Sequence, residues 1–151
     1  MSALADYQLA LLRALVREEV EFVVVGGVAA QLHGWQGATA DLDIAIAVED
    51  PNVQRLNRAL ASVGAGPGVV GGLGTSFKTR HGRLEIVRRA DAIGRYPDWL
   101  RNARSREVVD GLVVLVAAAD DILRSKEAAG REKDRAALPQ MRADFRDSGA
   151  L

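Results

Sequence analysis

Two aspartates, Asp41 and Asp43, flank a single leucine in a run that is otherwise apolar. Strand side chains alternate, so both carboxylates point to the same face of the strand. Side by side they repel each other and cost desolvation. A divalent cation removes that penalty, and carboxylate oxygens are the ligands Mg²⁺ prefers. Glu85 is a third acid, set within the apolar run Leu84-Glu85-Ile86-Val87. If the two strands are neighbours, three carboxylates converge. Such a cluster can hold two metal ions and run an in-line phosphoryl or nucleotidyl displacement. The other readings are two exposed acids on an edge strand, and a cross-strand salt bridge from Glu85 to a nearby arginine.

Gly26-Gly27 supplies the complementary half. The pair ends the β-branched run Phe22-Val23-Val24-Val25 and opens the helix formers Val28-Ala29-Ala30-Gln31-Leu32. Glycine backbone can approach a phosphate closely, and free N–H groups at a helix start favour an anion. The elements that position these residues follow from periodicity. Residues 4–16 read as an amphipathic helix, 21–25 as a buried strand, 28–33 as a short helix closed by Gly34, and 41–48 as a strand. Pro51 opens a helix with Val53, Leu56, Leu60 and Val63 on its apolar face. Residues 64–74 are a glycine-rich loop. His81-Gly82 and Asp110-Gly111 predict hairpins. Residues 91–103 read as helical in part, interrupted near Pro97. Asp120 or Asp121 caps a helix through Ala129, and a last helix runs from about Arg131 to Phe145. This order predicts an α/β (α+β) domain with a mixed sheet under helical cover.

Length and composition bound the reading. The 151 residues, 48% hydrophobic, make a single domain the expectation, with a core to about residue 117 and a helical cover at about 119–147. Lys+Arg and Asp+Glu balance at 20 each, which excludes a generally basic nucleic-acid coat. Residues 1–50 nevertheless hold eight acids against two arginines, while residues 51–100 hold eight Lys and Arg against three acids. That gradient suggests a cation site beside an anion site. With no cysteine, disulfides, thiolate metal sites and cysteine nucleophiles are excluded. His33 and His81 alone do not make a two-His zinc site with a spare catalytic His. No apolar run is long enough for a membrane span and no signal-peptide pattern opens the chain, so a cytoplasmic location is expected.

The match Gly26-Gly27-Val28-Ala29-Ala30-Gln31-Leu32-His33-Gly34, then Thr39-Ala40-Asp41-Leu42-Asp43, resembles the polymerase-β-type nucleotidyltransferase superfamily. More narrowly, it is similar to minimal bacterial nucleotidyltransferases related to AbiEii-type toxins of toxin–antitoxin systems. The run from Asp121 through Lys126, Gly130, Arg131 and Lys133 to Asp134 resembles their C-terminal helical motif. The resemblance covers residues 23–138. It implies a nucleotidyltransferase fold, with a mostly antiparallel sheet and C-terminal helices. It implies that Asp41, Asp43 and Glu85 are catalytic metal ligands for Mg²⁺ or Mn²⁺, and that Gly26 and Gly27 contact a nucleoside triphosphate (NTP). The acceptor it implies is an RNA such as tRNA, a protein or a small molecule, and a cognate antitoxin is an implied partner.

Other features carry less. Lys126 is a candidate phosphate contact, but the favoured reading of Lys126, Arg131 and Lys133 is a solvated helix face paired with Glu127 and Asp134. His33, at a helix end, reads as structural, a cation-capable group suited to the dipole. The run Gly66-Pro67-Gly68-Val69-Val70-Gly71 matches G-x-G-x-x-G but follows a helix, and is discounted. No P-loop and no nucleophile-elbow motif occurs. A nucleotidyltransferase-fold module that senses nucleotide or binds a partner without catalysis remains the rival reading.

Overall fold

The computed structural model describes residues 4–65 and 76–151. Its elements are α1 (Asp6–Arg17), β1 (Phe22–Val25), α2 (Gly26–Leu32), β2 (Leu42–Ile46), α3 (Asp50–Ser62), β3 (Ser76–Thr79), β4 (Gly82–Ile86), α4 (Tyr96–Asn102), β5 (Arg104–Val109), β6 (Leu112–Val116), α5 (Ala119–Ala129) and α6 (Glu132–Asp147). The six strands form one sheet in the order β3-β4-β2-β1-β6-β5. Three neighbouring pairs are antiparallel, and two, β1 with β6 and β2 with β4, are parallel. This is the mixed, mostly antiparallel α/β architecture expected. Most of residues 64–74, with their discounted glycine motif, lie outside the described residues.

The register sorts the sheet into two faces. Val24 pairs with Ile44, which pairs with Ile86, and Leu42 pairs with Leu84. With Phe22 and Ile46 these side chains form one apolar, buried face. One residue out of phase, Val25 pairs with Asp43, and Asp43 with Glu85. The two acids therefore share the other face with Val23, Val25 and Ala45. Because strand side chains alternate, a slip of one residue would send both acids into the apolar face. The bulk of Phe22, Ile44, Ile46, Leu84 and Ile86 on that face makes such a slip costly.

Several boundaries depart from the sequence reading, each for a local reason. The β3–β4 turn is Arg80-His81, one residue earlier than predicted. Thr79 closes it: its hydroxyl donates to Gly82 O (2.6 Å) and accepts from His81 N–H (2.9 Å). Pro97 opens α4 instead of interrupting it, since its ring suits a first helical turn. Asp120 and Asp121 lie within the first turn of α5, whose N-cap is Ala118. Asp121 is buried and accepts from Asn102 Nδ2 (3.1 Å) and Arg124 Nη1 (3.2 Å), so it joins α5 to α4.

Asn52, in the first turn of α3, joins three backbone segments. It accepts from Glu21 N–H (2.7 Å) and donates to Glu21 O (3.0 Å) and Ala47 O (2.6 Å), while only 1% exposed. These bonds pin the entry of β1 against the exit of β2. Replacing Asn52 with Ala removes the partner of Glu21 N–H and the buried bond to Ala47 O, while Glu21 O keeps its bond from Ala47 N–H. Asn52→Ala is expected to cost about 2–4 kcal/mol in urea unfolding, against less than about 0.5 kcal/mol for the exposed Gln54→Ala.

Candidate active site

Asp43 is the second residue of β2, lying between Val25 of β1 and Glu85 of β4. Asp41 precedes β2 by one residue, so the strand expected over 41–48 starts after it and the period-two alternation does not fix its side chain. Among the described residues, Asp41, Asp43 and Glu85 enter no ion pair. The cross-strand salt bridge that Glu85 could have made is therefore absent there. Burial, then the negative charges of Glu85 and Asp41, push the Asp43 carboxyl up to about 6, while Lys126 and Lys133 pull it the other way. Glu85 and Asp41 thus both act on Asp43.

Gly26 follows β1 directly and takes φ +66°, a conformation that side chains rarely adopt. A Cβ at this position would run into the Asp43 carboxylate. Backbone and carboxylate touch only because the side chain is missing. Gly27 is equally closed: a Cβ there would lie 2.8 Å from both Thr39 Cβ and Oγ1. The segment leading to Asp41 is tied down by glutamines. Buried Gln8 donates to Thr39 O (3.2 Å), Gln31 donates to Gly37 O (2.9 Å), and Gln36 N–H donates to Asp144 Oδ2 (2.9 Å).

The cations arrive from the corner between α5 and α6, where Gly130 turns the chain in a left-handed conformation. Asp134, 1% exposed, accepts from Arg131 Nε (2.7 Å) and Nη2 (3.2 Å), and pairs with Lys126 Nζ at 3.5 Å. Burial works against its ionised form, but the bonds and charges of Arg131 and Lys126 win and hold its carboxyl below the ordinary range. Lys126 and Lys133 both stabilise ionised Asp43, and Asp43 in turn supports the charge on Arg131. The pairing of this corner with Asp134 matches the sequence expectation. The one with Glu127 does not, because Glu127 points away and bonds Arg142 Nη2 at 3.0 Å. What sequence reasoning missed is that Asp134 is buried and gathers two cations toward the acidic face. The i,i+3 spacing of Arg131 and Asp134 was the available signal.

His33 is structural, but not as a cation. Burial is the main cause holding its pKa below the ordinary value, and Nε2 lies 2.7 Å from Ala117 O. Its ring meets Phe145 edge-on at 5.7 Å.

The donor set suits a hard divalent cation, since it is all carboxylate oxygen with nearby backbone. Asp43, held up by its like-charged neighbours, is a group that such a cation would relieve. Yet the described residues contain no group of three or more acids or histidines drawn together closely enough to hold a metal. Asp43 and Glu85 share a face and a register, but the acids do not close into a cage.

The sign of the Asp43 effect is testable. Its carboxyl sits near 6 in the fold against 3.8 unfolded, so ionisation opposes folding. That cost is absent below about pH 4, grows up to about pH 6, and persists above. In metal-free buffer, Asp43→Asn is therefore expected to stabilise the chain at pH 7.5 by at most about 3 kcal/mol in urea unfolding, with the gain vanishing near pH 3.5.

No protein-family profile matches the chain, and no curated protein does. Among solved structures, the chain is similar to the solution structure of the antibiotic-resistance factor ANT(2'')-Ia, an aminoglycoside nucleotidyltransferase. The TM-score is 0.58 at 16% identity, covering 95% of this chain and 91% of that one. At that identity the likeness concerns the fold, which is of the nucleotidyltransferase type.

Proposed function

We propose that the chain is a metal-dependent nucleotidyltransferase. The observation that carries this is the in-register pairing of Asp43 with Glu85, with the backbone of Gly26 against the Asp43 carboxylate. Asp41, Asp43 and Glu85 are the residues that would hold Mg²⁺ or Mn²⁺. When bound, the cation lowers the pKa of an acceptor hydroxyl and offsets charge on the leaving pyrophosphate. The chain itself supplies approach and charge. Gly26 and Gly27 would offer the triphosphate their backbone N–H groups, the space of their missing Cβ atoms being taken by Asp43 and Thr39. Lys126, steadied by Asp134, is the phosphate contact, with Lys133 beside it. The acceptor oxygen would give up its proton to solvent and form its bond to the α-phosphorus, while the bond from that phosphorus to the bridging oxygen breaks and pyrophosphate departs with that electron pair.

Three acceptor classes suit this chemistry: an RNA such as tRNA, a protein side chain, and a small-molecule hydroxyl. The AbiEii-like sequence motifs favour the first two, with a cognate antitoxin as partner. The likeness to an aminoglycoside nucleotidyltransferase keeps the third in view. One observation favours a second reading, a nucleotide-sensing or interaction module without catalysis: no closed metal-binding cluster occurs among the described residues. No helix among the described residues is long and apolar enough to cross a membrane.

The deciding experiment follows label from each α-labelled NTP, with Mg²⁺ or Mn²⁺, into total RNA, a protein extract and an aminoglycoside. Label is expected in one pool and is expected to vanish with Asp41→Ala/Asp43→Ala. Melting with Mg²⁺ and each NTP sorts the alternatives, because specific binding raises the midpoint by mass action. Binding without transfer selects the sensor, and neither selects the interaction module. Lys126→Ala is expected to weaken triphosphate binding about tenfold, as loss of one charge-assisted contact does.

A further inference from the structure

Away from the acidic face the molecule carries a cavity of about 870 Å³. It sits at the far ends of β2 and β4, where Ile46 and Ile86 border it. Asp43 lies three residues back along β2, about 10 Å away. Val53 and Leu56 of α3 complete an apolar floor. The volume is that of a small-molecule site. Val48, at the rim, is 61% exposed, a large apolar side chain with nothing over it.

The cavity also has basic lining. Arg88, Arg89 and Arg95 line the same cavity. Among the described residues, none of their guanidinium groups enters an ion pair or a hydrogen bond. Glu49 and Asp50 also line it, yet neither joins an arginine. Asp50 stands in the first turn of α3, where the helix dipole favours an acid. Glu49 acts on Tyr96 instead: burial first, then Glu21 and Glu49, push the Tyr96 phenol up, so it stays a hydroxyl donor.

The arginine loop is built, not loose. Ala90 N–H donates to Gly94 O (2.8 Å), and Gly94 N–H donates back to Ala90 O (2.9 Å). Arg124 Nη2 donates to Ala92 O (3.0 Å), and Arg95 N–H donates to Asp98 Oδ2 (2.9 Å). Ala92 is held at φ +68°, a strained value for alanine. The braced backbone therefore fixes where Arg88, Arg89 and Arg95 leave the chain beside the apolar floor, while their side chains are exposed. Arginine forks suit carboxylate, sulfonate and phosphate groups.

We propose that this cavity is a binding site for a small organic anion with an apolar body, separate from the acidic face. The proposal does not rest on the nucleotidyl-transfer reading. Its observations are the cavity, the unpaired arginines and the braced loop.

The test uses anilinonaphthalenesulfonate, an apolar body with one anionic group, and the uncharged N-phenylnaphthylamine as its partner probe. Fluorescence titration of the full chain is expected to give saturable binding of the sulfonate at one site. Arg88→Gln/Arg89→Gln/Arg95→Gln is expected to weaken the sulfonate about tenfold or more while changing the uncharged probe less than about twofold. Unchanged thermal melting of this variant shows that it folds. Val53→Phe, which intrudes on the floor, is expected to weaken both probes. Saturating Mg²⁺ and ATP is expected to leave the sulfonate in place. The proposal is overturned by absence of saturable sulfonate binding, by equal sulfonate affinity in the arginine variant, by loss of both probes in that variant, or by displacement with ATP.

Discussion

Asp43 occupies a position that apolar packing alone would not choose. It is half-buried in the inner sheet, with Glu85 in register on one side and Gly26 backbone against its carboxylate. Burial and its acidic neighbours oppose its charge, and the cations at the α5–α6 corner only partly offset them. Much of the local structure reads as what this placement requires. The glycine at 26 has no Cβ because the carboxylate takes that space, and its positive φ carries the chain from β1 straight into α2. Gly27 admits Thr39 for the same reason of space.

A second buried carboxylate plays the opposite part. Asp134 is less exposed to solvent than Asp43 but has its partners at hand, two-pronged from Arg131 and single from Lys126. The two acids therefore titrate in opposite directions, one raised and one lowered. One is a compensated charge that organises a corner, and the other is an undercompensated charge in want of a counterion. That contrast, between a compensated cluster and an uncompensated one, is what marks Asp43 as a candidate.

Local signals read well where the physics was local. The Asp110-Gly111 turn, the strand of Val23-Val24-Val25 and the helix opened by Pro51 are set by residues next to each other in the chain. Where the deciding contact came from elsewhere, the local signal misled. Asp121 has the residue type of a helix cap, yet Asn102 and Arg124 claim its oxygens. His33 sits where a cation would suit a helix end, yet burial outweighs the bond to Ala117 O, which alone would favour the charged ring, and keeps its pKa below the ordinary value.

The candidate site divides the same way. From sequence alone came the identity of its parts: the glycine pair after a β-branched run, two acids one residue apart, and a third acid in an apolar strand. Alternation with period two predicted one face for Asp41 and Asp43, though β2 starts only after Asp41. Whether Glu85 stood near them was a question of strand order, and strand order is set by how distant segments pack, not by spacing along the chain. The parallel pairing of β2 with β4 settled that, placing Glu85 beside Asp43 across 42 residues of sequence. The same holds for Lys126, some 80 positions from Asp43, which comes close through the packing of α5 against α2 and α6. Residue chemistry is written in the sequence, whereas convergence of charges needs the long-range contacts that only the folded chain makes.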